Sequence, residues 1–170
     1  MLESQLITPR TKFQAVLLEK NSGEDTQIIV MGGKNGKAQR IDSVEIYNCE
    51  KDTWSEMENL SMTRAKSGFA CVSVKVKKPL ASPARDEKVE QQIYLIGGND
   101  GKVLNTVEIL EYPACSWKQM TPMNHRRDEL AACIGPDNKI YVVGGYGGGD
   151  NTCLNSAERY DPYTNTWEEL

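Results

Sequence analysis

The chain has one histidine, two phenylalanines and no C-x-x-C pair among its 170 residues. With His125 as the lone imidazole and no paired thiols, no metal site and no cofactor is expected. The cysteines (Cys49, Cys71, Cys115, Cys133 and Cys153) form an odd set, which argues against a disulfide framework. They are read as reduced and mostly packed, in a cytoplasmic, cytoskeletal or nuclear setting. There is no basic excess: 20 Lys and Arg face 24 Asp and Glu, for a net charge of −4. General nucleic-acid binding is therefore not expected. Apolar runs stop at four or five residues, far short of the roughly 20 a membrane helix needs. The opening MLESQLITPRTKFQ has neither a basic start nor an apolar core, so a secretory leader is not expected. Sustained helical periodicity is also missing.

What is present is a repeat. Gly-Gly ends three β-rich runs, at Gly32-Gly33, Gly97-Gly98 and Gly144-Gly145. The second glycine precedes Trp54, Trp117 and Trp167 by 21, 19 and 22 residues. Between them lie Ser43-Val44-Glu45-Ile46-Tyr47, Thr106-Val107-Glu108-Ile109-Leu110 and Ser156-Ala157-Glu158-Arg159-Tyr160. Each Glu precedes its Trp by nine residues. Ahead of each unit stands an arginine, read as Arg10, Arg64 and Arg127, followed by a small apolar run. Each unit thus offers four short strand candidates separated by Gly, Asn and Asp turns, which predicts one antiparallel meander sheet per unit. The second unit is longer because of a polar, Pro-containing segment, Lys75 to Glu90, expected to be a surface loop.

The unit resembles the kelch repeat, with its apolar strand ending in Gly-Gly, a later Tyr and then a Trp. The resemblance runs from about Thr8 to Leu170. It is fullest in the third copy, with Tyr160-Asp161-Pro162 and Thr166-Trp167, and weakest in the second, where Leu110 replaces the Tyr. It implies an all-β fold of three four-stranded propeller blades, about 8–58, 64–121 (insertion 75–90) and 127–170. Gly32, Gly33, Tyr47, Trp54, Gly97, Gly98, Trp117, Gly144, Gly145, Tyr160 and Trp167 would be its structural repeat residues. The shared Glu residues would accept backbone or arginine hydrogen bonds. Propellers close with about four or more blades. Three would leave two open flanks, suited either to further blades of a longer product or to self-association.

In a meander, the loops after the Gly-Gly strands share one face with the linkers between blades. That face collects Lys34, Arg40, Arg64, Asn99, Asp100, His125, Arg126, Arg127, Tyr146 and Asn151, the candidate partner-binding residues. Its arginines suit an acidic peptide. The resemblance implies a protein–protein interaction module, of the kind that recognises clients for cullin-RING ubiquitin ligases in the kelch-like (BTB-kelch) proteins. No BTB segment is read in the chain. Actin is the alternative partner. A sugar isomerase or oxidase is the remote alternative, since the enzyme signatures are absent: Gly32 to Ala38 lacks phosphate-loop spacing, and His125 has no nucleophile motif beside it.

Overall fold

A computed structural model describes residues 4–18, 26–77, 89–147 and 152–170. Among them all regular structure is strand. The first repeat holds β1 (Arg10–Thr11), β2 (Gln14–Leu18), β3 (Gln27–Met31), β4 (Lys34–Asn35), β5 (Ser43–Asn48) and β6 (Thr53–Ser61). The second holds β7 (Ala70–Lys77), β8 (Val89–Ile96), β9 (Val107–Tyr112) and β10 (Ser116–Met120). The third holds β11 (Arg127–Asp128), β12 (Ala131–Ile134), β13 (Ile140–Val143), β14 (Tyr146–Gly147), β15 (Thr152–Cys153), β16 (Ala157–Asp161) and β17 (Thr166–Glu169).

Three antiparallel four-stranded meanders result: β2-β3-β5-β6, β7-β8-β9-β10 and β12-β13-β16-β17. They are the expected blades, and they do not close on one another. The short strands pair separately, as β1-β4 and β11-β14-β15, on the loop face.

Strand alternation sends successive side chains to opposite neighbours. On β8, Ile93 and Leu95 join Val16, Leu18, Ile29 and Met31 of the first blade in one core. Tyr94 and Ile96 join Ile140, Val142 and Tyr160 of the third blade in the other. The cores therefore lie between blades. Each fully buried large apolar side chain contributes about 1.5–3 kcal/mol, against about 0–1 kcal/mol for a surface ion pair, so inter-blade burial dominates the packing.

The aromatic repeat residues of the second and third blades serve these junctions. Tyr160 stacks on Trp167 at 5.0 Å in the second core, while the equivalent Tyr47–Trp54 stack, at 5.1 Å, belongs to neither core. In the second blade Leu110 takes the Tyr position opposite Trp117 and is fully buried. The Trp117 indole donates to the Ser61 carbonyl, and the Trp167 indole to that of Thr121, each on the preceding blade.

The first two Gly-Gly pairs stitch their blades to the next. The Gly33 N–H donates to the Lys66 carbonyl at 2.9 Å, and the Gly98 N–H to the Arg127 carbonyl at 2.8 Å. A Cβ on Gly97 would sit 2.5 Å from that same Arg127 oxygen, at φ +65°. Only glycine fits so close an approach in the left-handed region.

Two expectations are corrected. The polar insertion is shorter than read: Lys75–Lys77 pair with Val89–Gln91 and extend the β7–β8 hairpin. Only residues 78–88 of it lie outside the described part. The cysteines are not mostly packed: all five are free, and Cys49, Cys133 and Cys153 are exposed. Cys133 is open because it stands on the outer flank of the third blade.

Candidate functional site on the loop face

The loop face rests on a repeated buried ion pair. Arg127 is 0% exposed. Its Nε donates to Glu158 at 3.1 Å, Nη1 to the carbonyls of Gly144 and Ser156, and Nη2 to the Ser156 hydroxyl. Arg10 repeats the pattern with Glu45, Gly32 and Ser43. Each Glu also accepts N–H groups from the linker ahead of its blade: Ile7 and Thr8 on Glu45, Asn124 and His125 on Glu158. The glutamates are thus structural acceptors that fix the linkers, as their repetition suggested.

In the second blade the buried cation is Lys66, not Arg64. Its ammonium lies 2.5 Å from Glu108, with both side chains closed to solvent. Burial pulls the Lys66 pKa down. Burial also pushes the Glu108 carboxyl up, but the adjoining ammonium and the hydrogen bonds from Lys66, Thr63 and Gln119 outweigh it and hold Glu108 below its ordinary value. The sequence carried a signal for this register. Arg10 and Arg127 each stand three residues before an apolar residue, Phe13 and Leu130, and Lys66 stands three before Phe69. Arg127 is likewise corrected: it is enclosed and fully bonded, so it offers no surface to a partner.

Arg64, released from the structural role, points into an open basin of about 620 Å³. The basin gathers Arg64, Asp100, Lys102, Asn105, Thr106 and Arg126. Arg64 is 42% exposed and pairs with Asp100 at 3.0 Å. Burial raises the Asp100 pKa, but the Arg64 hydrogen bond and backbone N–H groups hold the carboxyl below the usual range. Arg126 spends one N–H on the Val103 carbonyl at 3.0 Å. Among the described residues neither Arg126 nor Lys102 has a carboxylate partner. The basin therefore holds three cations against one carboxylate.

Arg40 and Asn99 lie elsewhere on the same face. The Arg40 Nη2 donates to the Asn99 Oδ1 at 2.5 Å, and the Asn99 Nδ2 donates to Asp128 at 3.2 Å. This chain links all three blades. It leaves the Arg40 Nε and the Asp128 Oδ1 buried without partners, and burial raises the Asp128 pKa. Lys34 pairs in β4 on the first blade. His125 stands apart, 3.1 Å from Glu169 of the outer strand β17. Tyr146 is 44% exposed and borders a second cavity of about 470 Å³ with Asp128, Glu129 and Cys153. Asn151 lies outside the described residues.

The structure therefore joins Arg64, Asp100 and Arg126 of the sequence-derived set, with Lys102, Asn105 and Thr106 added. Asn105 and Thr106 escaped sequence reading because they sit just before the Glu108 strand, where the repeat suggests scaffold. Among the described residues no three His, Cys, Asp or Glu side chains gather as metal ligands would.

A family profile described as the KLHDC2/KLHL20/DRC7 Kelch-repeats domain matches residues 2–170. The chain belongs to the kelch-repeat family. Within it, the chain is similar to Kelch-like protein 23 of Pongo abelii, at 32% identity over 83% of the chain and 22% of that protein. Kelch repeat-containing protein kel-10 of Caenorhabditis elegans is 27% identical over 86% of the chain and 23% of its own length. F-box/kelch-repeat protein At5g03020 of Arabidopsis thaliana is 43% identical over 46% of the chain and 23% of its own length. The kelch chain thus spans less than a quarter of these relatives, and it groups with the kelch-like proteins.

Proposed function

We propose that this kelch chain is a protein-recognition module that reads an acidic segment of a client in the loop-face basin. The observation that carries the reading is the charge imbalance around Arg64, Lys102 and Arg126, two of which lack internal counter-charges among the described residues. A carboxylate entering between Arg126 and Lys102 gains charge-assisted hydrogen bonds, about twice as strong as neutral ones. Family membership supports protein–protein interaction as the general role. The narrower role, client reading for a ubiquitin-ligase adaptor, rests on kinship with kelch-like proteins several times longer than this chain. No catalytic step is assigned.

Affinity capture from a cell lysate tests the reading. The wild-type chain should retain a protein that the Arg126→Glu and Lys102→Glu variants release. Lys118→Glu, the same charge change on the outer strand β10, should retain it. Equal capture by all four chains contradicts the proposal. So does co-sedimentation with actin filaments that Arg126→Glu leaves intact.

A further inference from the structure

The loop-face basin lies over the second blade, between the linker that brings in Arg64 and the linker that carries Arg126. It is built on the turn from Asp100 to Val103. The Arg64 Nη1 donates to the Asp100 Oδ2 at 3.0 Å, and the Asp100 Oδ1 accepts the Lys102 N–H at 3.3 Å. From the other linker, the Arg126 Nη1 donates to the Val103 carbonyl at 3.0 Å. Two guanidinium groups from separate linkers are thus tied to the one turn that carries Lys102.

The turn is held without a ligand. The Asn99 side chain accepts the Gly101 N–H at 2.9 Å. The Leu104 N–H donates to the Gly98 carbonyl at 2.8 Å, and the Leu104 carbonyl accepts the Arg127 N–H at 2.9 Å. The space over the turn is open: Gly101 has φ +126°, and a Cβ there would meet nothing within 4 Å. Arg126 and Lys102 are both exposed. Cations already anchored in this way lose little freedom when a ligand arrives.

The charge count says what the ligand carries. Asp100 is held ionised by Arg64 and by backbone N–H groups. Glu108, on the strand that follows, is already paired with Lys66. Three cations against one carboxylate leave two positive charges in the basin. One client carboxylate supplies a single negative charge. A phosphomonoester carries about −1.5 to −2 at pH 7 and presents three acceptor oxygens. Guanidinium forks take phosphate oxygens in pairs, and an ammonium takes one as a point charge.

We propose that the basin receives a phosphorylated side chain of the client, with Arg64, Lys102 and Arg126 around the phosphate. This rests on the acidic-segment reading above and narrows it to one chemical group. The volume of about 620 Å³ is far larger than a phosphate, which leaves room for the residues that flank it in a peptide. A nucleic-acid backbone offers phosphates too, but as diesters with one charge each, and the chain's net charge of −4 opposes a polyanion.

Three synthetic peptide libraries with the same randomised flanks test this, the fixed central residue being phosphoserine, glutamate or serine. The full chain should retain the phosphoserine library at least about tenfold better than the glutamate library, the scale of one added charge-assisted hydrogen bond. Arg126→Glu and Lys102→Glu should abolish that preference, and Lys118→Glu should keep it. Lowering the pH from about 7.5 to about 5.5 protonates the phosphate, whose second pKa is about 6, and should weaken the phosphoserine library alone. Equal retention of the phosphoserine and glutamate libraries overturns the phosphate assignment and leaves the acidic-segment reading standing. Retention of neither above the serine library overturns both. A phosphoserine preference that survives Arg126→Glu and Lys102→Glu, or equal retention of a mixed-sequence RNA, also overturns the proposal. Should a variant fail to fold, the wild-type chain decides through pH: phosphoserine binding that falls supports the proposal, and binding that does not change contradicts it.

Discussion

The Lys66 ammonium lies 2.5 Å from the Glu108 carboxylate with water excluded from both. This pair does in the second blade what Arg10–Glu45 and Arg127–Glu158 do in the first and third. Removing one member of a buried pair leaves the other charge uncompensated, at a cost of about 3–5 kcal/mol. Lys66→Met should therefore lower the urea midpoint of unfolding sharply. Arg64→Met, two residues earlier, should leave it nearly unchanged, since Arg64 makes only a half-exposed pair with Asp100.

Lysine at this position also orphans a hydroxyl. Thr106 stands where Ser43 and Ser156 stand in the other blades. Those two hydroxyls accept from Arg10 and Arg127 at 3.0 and 2.8 Å. The Thr106 Oγ1 is buried without a partner. Lys66→Arg should restore the bond and stabilise the fold by about 0.5–1.5 kcal/mol, the net worth of one hydrogen bond. Thermal unfolding would show it as a raised Tm. A lowered Tm would mean that the guanidinium cannot be seated beside Phe69, over whose ring the Lys66 ammonium now lies at 5.3 Å.

The same pair sets a pH dependence. The folded state holds the Glu108 carboxyl below its ordinary value of 4.5, despite burial, because Lys66, Thr63 and Gln119 favour the charged form. The resulting stability is complete above the unfolded value and is lost as pH falls through the lower folded value. Urea midpoints measured from pH 6 downward should fall in that window. The fall should be shallower in Glu108→Gln, which has no proton to take up. Identical slopes would remove Glu108 from the acid response.

Much of the fold could be read before any coordinates. At the two internal junctions Gly-Gly and Trp meet the neighbouring blade's backbone or pack in its core, and Glu holds the linker or the buried cation, so their spacing is fixed by geometry. Lys66 was harder to find. A lysine can replace an arginine as counter-charge to a buried glutamate, and Arg64 stood two residues away in a more familiar guise. The basin was legible in its arginines and Asp100 but not in Asn105 and Thr106, since Asn105 is placed by the linker after blade two, bonding both ways with Met123. The expectation that Arg127 faces a partner failed for the converse reason: its loop is on the surface, but its side chain turns inward to Glu158.

The most direct measurement is binding of the wild-type and Arg126→Glu chains to an array of synthetic peptides of varied charge. The account predicts that the wild-type chain selects peptides rich in Asp and Glu. Arg126→Glu should weaken those by at least about tenfold, or ~1.4 kcal/mol, without changing the melting curve. Selection with no acidic preference, or an acidic set that Arg126→Glu binds equally well, would contradict it.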